Sequence, residues 1–199
     1  MATLLPPQAG IILPRAKMER GKIEATMSRI VKMHPHNQDW AAEYQTIAAQ
    51  LKPIFGKQLL LIEHIGSTSI PGIKAKPIID VLIAVTDIGR VTEIVPAMET
   101  LGYDFRGERG IPGRQYFRME PDSSSGIHIH VYQQGHEAIT EKLDFRDYMR
   151  THPDRAQAYS QLKEKLAEKF RQDRVTYTES KADFIVETIG LAADWRKDQ

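Results

Sequence analysis

The segment His64 to Asp80, HIGSTSIPGIKAKPIID, constrains this chain more than any other. An apolar run, Leu59 to Ile62, leads into Gly66-Ser67. A loop with Pro71, Gly72, Lys74 and Lys76 follows, and a second apolar run, Pro77 to Val85, carries one carboxylate, Asp80. Runs this uniformly apolar do not suit strands with one wet face, so both read as central strands covered on both sides. The turn between them offers backbone N–H groups and two lysines, which favour phosphate oxygens. A carboxylate beside them suits Mg²⁺.

The length, 199 residues, fits one domain large enough to bury a core without disulfides or structural metal. Residues 1–29 read as a flexible tail, because Pro6, Pro7, Gly10 and Pro14 break regular structure there. Residues 30–199 form the domain. The chain has no cysteine, which excludes thiolate zinc sites and cysteine nucleophiles and fits a reducing compartment. The charge is balanced, with 27 basic and 26 acidic residues, so nothing favours general nucleic-acid binding. No apolar run approaches the ~20 residues of a membrane span. The N-terminus runs apolar then basic, the reverse of a secretory signal. The reading is a cytoplasmic protein without a membrane partner.

Helical spacing of Trp40, Tyr44, Ile47 and Leu51 predicts a helix from Asn37 to Phe55. Val91, Ile94, Val95, Met98 and Leu101 predict another over 88–101, capped by Gly102. Tyr103 to Glu120 reads as a hairpin with a glycine-rich tip, and Ile127 to Tyr132 as a strand after a Ser-rich turn. From Glu137 onward two or three helices follow, with Pro153 suited to a first turn. The class is α/β (α+β).

Several motifs fall in one order: Ile65-Gly66-Ser67-Thr68-Ser69, Pro71-Gly72, Lys76 to Asp80, Gly102-Tyr103, His128-Ile129-His130, Phe145 to Tyr148, and Asp173 to Ile185. In these residues the chain resembles the GrpB family (UPF0157), from about Val31 to Ile189. The resemblance implies a nucleotidyltransferase-like mixed β-sheet with flanking and C-terminal helices. Some members are fused to dephospho-coenzyme A kinase, which associates the family with nucleotide or coenzyme A metabolism. The nucleotidyltransferase pattern places two carboxylates two residues apart on a strand, where they share a face and hold two Mg²⁺ ions. Here Asp80 is the first and Leu82 stands in the second place. The strand expected to give a third carboxylate offers His128 and His130.

His128 and His130 alternate with apolar residues, so both point to one sheet face, ~7 Å apart. With His64 and Asp80 they form a candidate site for a divalent metal (Mg, Mn or Zn), imidazole favouring the transition metals. The alternative is that they hydrogen-bond within a packed site. Asp80, His128 and His130 are the candidate catalytic groups. The candidate phosphate ligands are Gly66, Ser67, Thr68, Ser69, Lys74, Lys76, Arg146, Arg150, Tyr177 and Lys181. The arginines and Lys181 suit phosphate charge, and Tyr177 can stack on a base. The lysines also fit a solvated loop, the arginines also fit helix-packing ion pairs, and Arg109 and Arg114 mark a tip that either closes over a substrate or is a plain loop. Binding of a nucleotide or phosphorylated small molecule, with metal-dependent nucleotidyl or phosphoryl transfer open, is the leading expectation. The alternatives are a non-catalytic nucleotide-binding module acting through a partner protein and a histidine-metal phosphate hydrolase.

Overall fold

The computed structural model describes residues 30–120 and 125–199. The tail expected over 1–29, and most of the Ser-rich turn, lie outside them. Five strands form one mixed sheet in the order β1-β2-β5-β4-β3. They are β1 (Leu59–Ile65), β2 (Ile78–Val85), β3 (Asp104–Phe105), β4 (Arg114–Met119) and β5 (Gly126–Gln133). β2 and β5 are parallel and every other pair is antiparallel.

β2 is central, as its apolar run predicts. β1 is not: it pairs with β2 alone and forms an edge, with Leu60 exposed. Its apolar content serves a strand covered by helices on its faces while one backbone edge stays open.

Register divides the side chains between two faces. Ile65 stands opposite Asp80, and Asp80 opposite His128; Leu82 faces His130, which faces Tyr116. Directly paired residues project to the same side, so these six share a face. Val81, Ile83, Ile129, Val131 and Phe117 occupy the other. That second face packs against α1 (Asp39–Phe55), whose Trp40, Tyr44, Ile47 and Leu51 recur every three or four residues along one stripe. Asn37 Oδ1 accepts from the Asp39 amide at 3.0 Å and turns the chain into α1.

The helix expected over 88–101 is split. Ile88–Ile94 is a 3₁₀ turn, and only Val95–Thr100 (α2) is α-helical. Pro96 explains the break: it fits a first helical turn and has no N–H to bond a preceding one. After β5 come four helices rather than two or three: α3 (Glu137–Thr151), α4 (Pro153–Lys169), α5 (Arg174–Glu179) and α6 (Ala182–Lys197). Pro153 opens α4 as predicted. Leu143 of α3 packs over Ile65, Leu82 and Tyr132, so this helical layer roofs the face that carries Asp80. Among the described residues no helix is long and apolar enough to cross a membrane.

Candidate functional site

The centre of the roofed face is a chain of charges. Asp80 Oδ1 lies 3.5 Å from His128 Nδ1 and 3.4 Å from His130 Nε2. His128 Nε2 lies 3.2 Å from Glu120 Oε1, and Glu120 also meets Arg118 at 3.2 Å and Arg174 at 3.4 Å. A carboxylate stands at each nitrogen of His128, an arrangement that favours the imidazolium, which donates from both. Burial opposes that charge, but hydrogen bonds to Asp80 and Glu120 outweigh burial and raise its pKa. His130 differs. Its Nδ1 faces Arg114 Nη1 at 3.4 Å, and a guanidinium only donates, so the proton sits on Nε2 toward Asp80. Burial, opposed by Asp80 and reinforced by Lys142 and Arg114, brings His130 down to about 4. Burial also works against ionised Asp80, yet the bonds from both histidines hold its carboxyl far below the usual range.

Gly66 brings the turn down onto this cluster. Its φ is +73°, and a Cβ there would collide with Asp80 Oδ2. Beyond it, Ser67–Ser69 form one 3₁₀ turn. The Thr68 hydroxyl donates to the Ile78 carbonyl at 2.9 Å and therefore accepts from His64 Nε2 at 3.0 Å. The Ser69 hydroxyl donates to the Gly66 carbonyl at 2.7 Å. Both residues are buried and close the turn, so of the four expected phosphate ligands here only Gly66 and Ser67 line the cavity.

Other expected ligands are also elsewhere. His64 stands opposite Val81, on the far side of the sheet from Asp80, stacked on Tyr44 at 4.9 Å. Burial pushes its pKa to about 4. It is one residue out of phase with the cluster and is no partner of it. Arg146 bonds Glu63 at 2.7 Å, the His64 carbonyl at 3.1 Å and Asp147 at 2.8 Å, which fastens α3 to β1. Arg150 donates to the Ser69 carbonyl at 2.9 Å. Lys74 pairs with Glu164. None of these three lines the cavity. Arg114 is buried over the Tyr116 ring and bonds the Glu108 and Arg109 carbonyls, so it shapes the hairpin tip from within.

The donor set does not fit a resident divalent metal. Metal ligands need free lone pairs, and both His128 nitrogens are committed to carboxylates while His130 points an N–H at Asp80. Leu82, in the second carboxylate place, is fully buried between Ile65 and Tyr132. Among the described residues no group of three or more His, Asp or Glu side chains has a metal-binding arrangement.

What the face does present is a cavity of about 750 Å³ with a cationic end. Lys76 and Lys181 place their ammonium groups 5.6 Å and 4.5 Å from the Tyr177 ring centre. Tyr177 is therefore buried beneath cations, and base stacking on it is replaced by cation–π support. Lys163 lies 4.6 Å over Tyr159 and donates to the Lys74 carbonyl at 2.6 Å. Burial, with repulsion from neighbouring cations, lowers Lys76 and Lys163 to about 7. Burial, opposed by Asp80, lowers Lys181 to about 8. Among the described residues no carboxylate lies within ion-pairing distance of these three lysines. Lys142 and Arg174 line the same cavity.

Lys163, Lys142, Tyr159 and Glu120 were not expected at the site. A sign of Lys163 was present: it continues the buried stripe Ala156, Tyr159, Ser160 and Ala167 of α4, where a lysine is out of place unless it has a use. Glu120 and Lys142 carry no such sign.

The fold and this cavity define an α/β protein with a basic cleft roofed by helices along one face of a mixed sheet. The chain belongs to the GrpB family: the family model described as GrpB protein matches residues 30–190. It is 40% identical over 169 residues to UPF0157 protein YqkA of Bacillus subtilis, covering 85% of this chain and 49% of YqkA. The chain thus spans about half the length of that relative. A crystal structure of conserved protein GrpB from Enterococcus faecalis is similar at a TM-score of 0.79 and 34% identity, covering 83% of this chain and 99% of that one. A dephospho-CoA kinase of Mycolicibacterium paratuberculosis is 26% identical over 189 residues, covering 83% of this chain and 46% of the kinase.

Proposed function

We propose that the cavity binds a phosphorylated small molecule, with nucleotides among the candidates, and that the domain acts as a ligand-binding module. The observation that carries this reading is the trio of buried Lys163 and half-buried Lys76 and Lys181, which line one cavity without a carboxylate partner among the described residues. Gathering unpaired cations in a pocket costs free energy. A phosphate supplies the missing negative charge and several acceptors at once. The volume suits a ligand of nucleotide size. Similarity to a protein named dephospho-CoA kinase is in keeping with a phosphorylated ligand.

The cluster beneath favours binding over transfer. Asp80 is held ionised and is a weak base, and the carboxylates beside His128 raise its pKa and favour its protonated form. Neither environment favours uptake of a proton from a substrate. The test is calorimetry and thermal shift with inorganic pyrophosphate, AMP, ATP and coenzyme A, with and without EDTA. Binding that survives EDTA and weakens at least about tenfold in Lys181→Ala supports the reading. Absence of binding by every one of these, or affinity that Lys181→Ala leaves intact, sinks it.

A further inference from the structure

The cavity is lined by apolar side chains as well as by the lysines, and these say what the phosphate is attached to. Helix α6 lines the cavity with Lys181 at its start and with Ile185 and Ile189 on the same stripe. At a rise of ~1.5 Å per residue, Ile189 lies ~12 Å along the helix from Lys181. Phe145 of α3 packs in one cluster with Ile185. Ile111, from the hairpin tip, packs with Ile65 and Tyr132 of the sheet and Ala138 of α3. Both Phe145 and Ile111 also line the cavity. Phe145, Ile185, Ile189 and Ile111 keep part of their surface uncovered, so this wall is an apolar lining rather than closed core.

Resting on the phosphate reading above, we infer that the ligand is amphiphilic: a phosphate head at Lys76, Lys163 and Lys181, joined to an apolar or aromatic body that lies along Ile185, Ile189, Phe145 and Ile111. Phe145 and Ile185 pack with Tyr159, the ring that Lys163 covers, so the apolar wall begins beside the cations and Ile189 continues it along α6. Free pyrophosphate leaves the apolar wall wet. A body of one or two rings joined to the phosphate reaches along this wall toward Ile189 and covers part of it. Asp80, which also lines the cavity, repels a second phosphate placed near it.

Calorimetry with inorganic phosphate, phenyl phosphate and 1-naphthyl phosphate tests this on the intact protein. Affinity rises along the series by about tenfold or more from the first to the last. Ile189→Ser and Ile111→Ser remove the gain while leaving inorganic phosphate unchanged; Lys181→Ala weakens all three. The two isoleucine variants sit on different elements, and circular dichroism reports whether each keeps its fold. Equal affinity for all three phosphates, with Lys181→Ala still harmful, overturns the amphiphilic ligand and leaves the phosphate site standing. Failure of all three to bind overturns both.

Discussion

At the scale of single residues, the site is set by contacts no substitution can preserve. Gly66 combines a left-handed φ of +73° with a backbone so close to Asp80 that a Cβ collides with Oδ2. Gly66→Ala therefore strains the backbone and displaces the carboxylate together. The expected cost is about 1–3 kcal/mol, read as a lowered urea midpoint; an unchanged midpoint means the turn shifts freely and does not fix Asp80. Asp80→Asn tests the charge chain. It removes one of the two carboxylates that hold the His128 proton, so the His128 midpoint followed by NMR falls. In the native protein a raised His128 contributes stability that is fully present below its ordinary value of 6.5 and is lost as pH rises through the higher folded value. In Asp80→Asn that loss moves to lower pH. Residue chemistry was largely legible here: a lone carboxylate in an apolar strand and a His-x-His alternation both mark the site. Parity was the limit. His64 lies one residue before the position whose side chain shares a face with Asp80, and nearness in sequence conceals which face a side chain takes.

At the scale of elements, the sequence shows which residues share a helix face but not what that face meets. Arg146 and Arg150 lie on one side of α3 as their spacing predicts, yet they meet Glu63, the His64 carbonyl and the Ser69 carbonyl rather than a ligand. The docking of α3 depends on the pairing of β1, a long-range event that local spacing does not encode. The same reason hides Lys142 and Glu120, which come into the site through tertiary packing alone. Two variants separate fastening from binding. Arg146→Ala destabilises by about 1–3 kcal/mol, because the buried His64 carbonyl loses its donor and Glu63 its partner, while affinity for pyrophosphate stays within about twofold. Lys181→Ala does the reverse: it weakens pyrophosphate binding and leaves the urea midpoint equal or higher, since it removes a half-buried cation. If Arg146→Ala weakens binding as much as Lys181→Ala without changing stability, the arginine belongs to the phosphate site after all.

At the scale of the whole molecule, the lysine trio makes stability depend on pH and on ligand in a linked way. Unfolded lysines titrate near 10.5, whereas Lys76 and Lys163 titrate at about 7 and Lys181 at about 8 in the fold. Below about pH 7 both states carry all three protons, and the native state bears the full cost of holding the charges together. Between the folded and unfolded values the unfolded chain binds more protons, so native stability rises with pH. His128 acts in the opposite sense as pH rises above 6.5, but one group opposes three. The free protein therefore gains urea resistance from about pH 7 to about pH 9. A bound phosphate reverses the balance, because its charge favours the ammonium form of each lysine. Pyrophosphate then flattens the slope, binding takes up protons near neutral pH, and apparent affinity falls as the solution becomes alkaline. Proton uptake is measured by calorimetry in two buffers of different ionisation enthalpy. A double variant, Lys163→Met with Lys181→Met, shows a shallower rise of stability with pH and less uptake. A pH slope that survives this variant unchanged assigns the effect to other groups and removes the lysine trio as the seat of the anion site.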